Sequence, residues 1–219
     1  NRFSILGSTG LVVPPDTTLA KTKYWFQKKM LKKMGCLATK VFVQNKKDAD
    51  LLEQGKIIPP EKIVVVQGAG INLKTFKQVP LNKLTALTFL YVGRLQREKG
   101  FVEFCEAAQL VRKKYPGMVF NAIGDIAESW GKKKSFYQNL ARESGVFYAG
   151  DVEDVLPYFT ESHVVVLPSY DEATPKALLE ALAIGRPIIT TNVSGCEETV
   201  TPEKNGLLVH THDPWAIAQ

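Results

Sequence analysis

The chain has no run of about 18 apolar residues, so no segment of it reads as a membrane-spanning helix. Its start, Asn1-Arg2-Phe3, lacks an initiator methionine and the charged, apolar and small-residue order of a secretion signal, so a fragment of a longer protein is expected. Cysteine is scarce. Cys36, Cys105 and Cys196 are odd in number and far apart, which argues against a disulfide framework or a zinc site and leaves a reducing cytoplasm as the expected compartment. The three histidines, His163, His210 and His212, do not stand at a metal-ligand spacing. Gly7-Ser8-Thr9-Gly10 and Gly68-Ala69-Gly70 stop short of G-x-G-x-x-G, and neither a G-x-x-x-x-G-K-[ST] loop nor a G-x-S-x-G elbow occurs. Nicotinamide, flavin, P-loop and serine-hydrolase chemistry therefore lack their usual carriers.

Acid is missing from one long stretch, where nine lysines fall between Asp16 and Asp48 with no carboxylate among them. Within it, KTKYWFQKKMLKKMG sets Lys21, Lys23, Lys28, Lys29, Lys32 and Lys33 beside Tyr24, Trp25, Phe26, Met30 and Leu31. On a helix this predicts a basic face beside an aromatic one. Either the helix packs on its own sheet and solvates its lysines, or Lys21–Lys33 meets an anionic membrane surface, each lysine adding on the order of 1 kcal/mol. Nucleic acid is not an expected partner, because no DNA- or RNA-binding motif accompanies the charge.

What the chain has in abundance is β-branched runs alternating with helical ones, the pattern of parallel sheets covered on both faces. Strands are expected in RFSILG, KVFVQN, KIVVVQG, LTFLYVG, MVFNAIG, GVFYAG, HVVVLPS, PIITT and NGLLVH. Helices are expected over Thr18–Met34, Lys46–Gln54, Gly100–Lys114, Lys133–Ser144, Val152–Glu161 and Pro175–Ile184. So many parallel strands exceed one sheet of this length, and 68–85 has neither pattern. Two domains follow, 1–78 and 79–219. Ligands of such sheets sit at the carboxyl ends of strands, here the loops after Gly93, Gly124, Gly150, Ser169 and Asn192.

Two of those loops stand out. GRLQREKGF places Arg94 and Lys99 between a strand and a helix start, where positive charge opposes the helix dipole but suits an anion such as a diphosphate. EATPKALLEALAIGRP sets Glu172 before a helix with Thr174 as N-cap and Pro175 at the first position, and Glu180 in its second turn. The free amides at that helix start form a second anion site between two carboxylates. Each glutamate alone is explained by the helix dipole or by a rim position; a ligand with hydroxyls at both ends and phosphates between them accounts for both. Asp48-Ala49-Asp50 has the D-x-D spacing of metal–nucleotide sites but opens a helix, where capping explains it.

In this order and spacing, YVGRLQREKG, FNAIGD, VFYAGDVEDVLPYF, VVVLPSYDEATPKALLEALAIGRPIITTNVSGCEETV and NGLLV resemble the nucleotide-sugar domain of the two-domain GT-B glycosyltransferases of family 4, whose signature is the E-x7-E pair. VVVQGAGINLKTF is similar to the segment closing that family's first, acceptor-side domain. The resemblance implies an α/β fold of two Rossmann-like domains with parallel sheets, the first incomplete and the second truncated at its end. It implies catalytic roles for Arg94 and Lys99 at the diphosphate and for Glu172 at the transferred sugar, and ribose binding by Glu180. Thr174, Lys176 and Ala177 would meet sugar and phosphate at the helix start, Gly124 would also bind substrate, and the strand end Val146–Tyr148, with Phe147 and Tyr148, would line the base. The implied chemistry is a metal-independent retaining transfer with no cofactor beyond the donor, by front-face attack. Where the family usually has glycine after the first glutamate, this chain has Ala173.

GINLKTF and VSGCEETV look like bacterial transferases that extend saccharides on undecaprenyl diphosphate. A UDP-N-acetylhexosamine donor such as UDP-N-acetylgalactosamine, a polyprenyl-diphosphate-linked acceptor and a place on the inner face of the cell membrane are then expected. A nucleotide-sugar epimerase of the same fold and a non-catalytic nucleotide-sugar-binding module are the alternatives. The early loops of the acceptor domain are missing, so this stretch alone is expected to be inactive.

Overall fold

The computed structural model describes residues 3–6, 18–66, 68, 70–81, 86–126 and 134–219. It divides into two compact units, Asn1–Ala69 and Gly70–Gln219, each with its own hydrophobic core.

The first unit contains β1 (Phe3–Leu6), α1 (Thr18–Leu37), β2 (Lys40–Val43), α2 (Lys46–Gln54) and β3 (Ile63–Val65), with the strands parallel in the order β1-β2-β3. Alternation along β2 buries Val41 and Val43 against Leu31 and Ala38 from the α1 side and Leu52 of α2. Asn45 caps α2 by accepting the Asp48 N–H at 2.7 Å, and its amide donates to the Asp48 carboxylate at 3.1 Å. Asp48 thus opens a helix, as capping requires.

In α1 the lysines and aromatics do not separate into two faces. Tyr24, Leu31 and Met34 turn to the core, while Trp25, Phe26 and Met30 stand exposed among Lys29, Lys32 and Lys33. Lys29 Nζ sits 5.1 Å above the Trp25 ring. The side chains of Lys21 and Lys23 lie outside the described residues. No described helix is long and apolar enough to cross a membrane.

The second unit runs β4 (Thr88–Val92), α3 (Phe101–Lys114), β5 (Val119–Ile123), α4 (Lys134–Ser144), β6 (Phe147–Gly150), α5 (Leu156–Glu161), β7 (Val164–Leu167), α6 (Lys176–Ile184), β8 (Ile188–Thr191), β9 (Gly206–Val209) and α7 (Pro214–Ala218). All six strands are parallel, in the order β6-β5-β4-β7-β8-β9. Covered on both faces, the inner strands are near-continuous apolar runs, such as Val165, Val166 and Leu167 of β7. Tyr91 and Phe120 from the sheet meet Phe101 and Phe104 of α3 in an aromatic cluster. Leu178, Ala181 and Ile184, at helical spacing, bury the inner face of α6.

Each expected strand is present, and the main differences lie elsewhere. The division falls at Ala69/Gly70 and not at 78, because the following segment is held by the second unit. Val79 N–H donates to the Ile184 carbonyl at 3.1 Å, and the Arg186 guanidinium donates to the Val79 carbonyl at 2.7 Å. Helix α5 begins at Leu156 and not at Val152, since Asp154 takes the Leu156 N–H in a local turn at 3.0 Å. Helix α7 was not anticipated; Asp213 caps it through the Ala216 N–H at 2.9 Å.

Candidate functional site

In the second unit's sheet the chain leaves β4 toward β5 and β6, then returns to β4's other edge with β7. Such a reversal opens a crevice at the carboxyl ends of the two strands on either side of it. The loop after β4 carries Arg94 and Lys99, and the loop after β7 carries Glu172 and Thr174.

The structure brings two of these residues into direct contact. Lys99 Nζ lies 2.5 Å from Glu172 Oε1, with their side chains only 19% and 13% exposed. Ser169 Oγ donates to the same carboxylate oxygen at 2.9 Å. Removing one partner of a pair held this far from water leaves the other uncompensated, so lysine and carboxylate hold each other in place.

Below the lysine, a 3₁₀ turn over Arg97–Lys99 precedes α3. The buried Tyr91 hydroxyl lies 2.8 Å from the Arg94 carbonyl and 3.2 Å from that of Lys99, so one side chain spans the cationic loop. Burial, and next the charge of Glu172, raise the Tyr91 pKa well above the usual phenol value, which keeps it a neutral donor. The Arg94 side chain is exposed and has no partner among the described residues.

Helix α6 starts one residue later than expected. Its N-cap position is Pro175, with no side-chain cap, and the Thr174 hydroxyl donates to the Ala173 carbonyl at 2.8 Å. The N-cap position therefore falls at Pro175 and not at Thr174. The first i to i−4 bond runs from Leu179 N–H to the Pro175 carbonyl, leaving the amides of Lys176 and Ala177 ahead of the helical ladder. Glu180 is 8% exposed in its side chain and pairs with Lys176 Nζ at 3.2 Å.

Beneath this loop runs Gly195, whose φ of 79° and position against the Ala173 and Glu172 carbonyls leave no room for a side chain. Ala173 itself is not among the positive-φ residues, so its backbone conformation does not demand glycine.

A cavity of about 240 Å³ opens at the ends of β4, β5 and β6. Its apolar part is Val92, Ile123, Val152 and Val155, and its polar part is Arg94, Asp125 and Asp151. Gly124 belongs to it, and a Cβ there would stand 2.1 Å from the Gly93 carbonyl. The Tyr148 hydroxyl donates to the Gly124 carbonyl at 2.8 Å. Phe147 is 64% exposed and, as Tyr148's strand neighbour, projects from the opposite face of β6. The two aromatics cannot line one surface, and only Tyr148 is tied to the cavity.

The two buried thiols supply no nucleophile: burial pushes Cys105 and Cys196 up to about 12. His163 accepts the Thr88 N–H at its Nδ1 at 3.1 Å, a bond that joins β4 to the start of β7.

Residues 86–219 match the family model described as glycosyl transferases group 1. The chain is 30% identical over 170 residues to a D-inositol 3-phosphate glycosyltransferase of Paenarthrobacter aurescens, covering 68% of this chain and 40% of that protein. It is 29% identical over 164 residues to an N,N'-diacetylbacillosaminyl-diphospho-undecaprenol alpha-1,3-N-acetylgalactosaminyltransferase of Campylobacter jejuni, covering 68% and 42%. The chain thus spans about two fifths of the length of these relatives. Among solved structures, sucrose-phosphate synthase from Thermosynechococcus elongatus superposes with a TM-score of 0.78 at 25% identity, covering 99% of this chain and 56% of that one.

Proposed function

Because the chain belongs to the group 1 glycosyl transferases, of GT-B fold, we propose that it binds a UDP-sugar at the carboxyl ends of β4 and β7 for transfer, with retention and without a metal, to a lipid-linked saccharide. The observation that carries this reading is the Lys99–Glu172 pair at the sheet's reversal point, which sets a cation beside a hydroxyl-accepting carboxylate.

On this reading the uracil occupies the cavity lined by Val152 and Asp151, and Glu180 accepts the ribose hydroxyls. The diphosphate lies between Arg94, Lys99 and the amides of Lys176 and Ala177. Glu172 accepts hydroxyls of the sugar. The charge that develops as the glycosidic bond breaks falls on the diphosphate, beside Arg94, the Glu172-held Lys99 and the start of α6, and positive charge placed there stabilises the departing anion. The acceptor oxygen attacks from the face that the diphosphate leaves, so no enzyme carboxylate needs to act as nucleophile.

The donor is proposed to be a UDP-N-acetylhexosamine and the acceptor a polyprenyl-diphosphate-linked saccharide, used in building a cell-surface polysaccharide. The Campylobacter relative's name and the exposed lysines and aromatics of α1 support this. The protein then works on the inner face of the cell membrane.

Titration of UDP and of uridine into wild type, Arg94→Ala and Lys99→Ala tests the site. Each substitution should weaken UDP about tenfold and uridine less than about twofold, as the loss of a charge-assisted bond predicts. Equal losses for the two ligands count against the diphosphate role, and unchanged binding of UDP by Glu180→Ala removes the ribose assignment.

A further inference from the structure

Glu103 lies in the first turn of α3, where an acid ordinarily faces solvent and complements the helix dipole. This one turns inward. It is 6% exposed, and its Oε1 accepts the Tyr170 hydroxyl at 2.5 Å. Its Oε2 is buried with no hydrogen-bond partner among the described residues. His212, from the turn before α7, brings Nδ1 to 3.7 Å from Glu103 Oε1 and its ring to 3.9 Å from that of Tyr170. A carboxylate drawn out of water and left half-satisfied does not stabilise the fold well for its own sake.

Tyr170 joins two parts of the site. Its N–H donates to the Glu98 carbonyl at 2.9 Å, tying the loop after β7 to the 3₁₀ turn that presents Lys99. The residue before it, Ser169, offers its hydroxyl to Glu172 and its carbonyl to Thr191 Oγ1 at 2.5 Å. The loop is therefore gripped from β8, from the turn before α3 and from α3 itself, and Glu103 supplies the third grip. Burial, then the bond to Glu103, raise the Tyr170 pKa above the usual phenol value, so the donor proton remains in place.

We infer that Tyr170 and Glu103 are positioning residues for Glu172, fixing the loop that aims its carboxylate at the transferred sugar. The inference rests on the donor-binding reading above.

The test is a double-mutant cycle on the 219-residue chain, read by calorimetric titration of UDP and of UDP-N-acetylgalactosamine, with melting curves as a folding control. Tyr170→Phe should weaken the sugar nucleotide by about five- to tenfold and UDP by less than about twofold, the scale of one ordinary hydrogen bond lost at the sugar. In a Glu172→Gln background the same change should cost nothing further, because its effect passes through the carboxylate already removed. Glu103→Gln retains a side-chain carbonyl for the phenol and should bind like wild type, whereas Glu103→Ala should match Tyr170→Phe; this pair carries the test if Tyr170→Phe does not fold.

Equal losses for both ligands, or a full further loss in the Glu172→Gln background, overturn the positioning role. If Glu172→Gln weakens the sugar nucleotide and Tyr170→Phe does not, the inference alone fails. If Glu172→Gln has no effect, the donor-binding reading fails and takes the inference with it.

Discussion

Gly195 lies directly under the loop that bears Glu172, and a methyl group there would meet the Ala173 carbonyl at 2.1 Å. With φ at 79°, alanine adds backbone strain to that clash. Gly195→Ala should therefore destabilise the second unit by about 2–4 kcal/mol, read as a lowered urea midpoint. The loop should also move, so UDP-sugar affinity should fall more than UDP affinity. A variant as stable as the wild type would mean that the loop is not seated on this glycine. Residues of this kind are hard to find in a sequence. Lys99 and Glu172 declare themselves by charge and by their place after strands, but the partners that fix them, Tyr91, Ser169 and Gly195, are ordinary core, loop and turn residues whose role depends on contacts made only in the fold. Lys99 and Glu172 are themselves 73 positions apart, and nothing local to either foretells that they meet.

Helix α1 carries its exposed aromatics and lysines on one outward surface, which makes it the element best suited to an anionic lipid headgroup layer. Co-sedimentation of the chain with vesicles containing anionic lipid should exceed that with neutral vesicles and fall as salt rises; replacing Lys29, Lys32 and Lys33 with glutamine should remove the difference. Binding indifferent to lipid charge would end the membrane proposal. Elements such as α1 and the parallel strands are legible because burial on a helix face or on both sheet faces dictates apolar period and run length. The start of α5 was less so, because Asp154 diverts the Leu156 N–H before the helix can begin. Helix α7, five residues long, has too little periodicity to register and depends on one aspartate cap. The unit boundary slipped for a related reason: what holds Val79 is the buried Arg186, far along the chain.

The two units differ in the side chains that fill their described cores. Among the described residues, the second unit buries whole aromatic rings at Tyr91, Phe101, Phe104, Tyr137 and Phe159, while those fully buried in the first are small and aliphatic, such as Val41, Val43, Leu52 and Ile58. Apolar area removed from water sets the larger part of opening free energy. Native-state hydrogen exchange should accordingly find the amides of β2 and β3 exchanging sooner than those of β4, β5 and β7; a single uniform rate would show the chain opening as one body. The sheet order has a further consequence for the protein's synthesis. Strand β4 is made first in its sheet yet ends at the middle, and Thr88 waits for His163, 75 residues later. At roughly 5–20 residues per second that edge stays open on the ribosome for roughly 4–15 s. During that interval its unpaired backbone is the place where a nascent chain is most exposed to mispairing with another, and where a chaperone has most to protect.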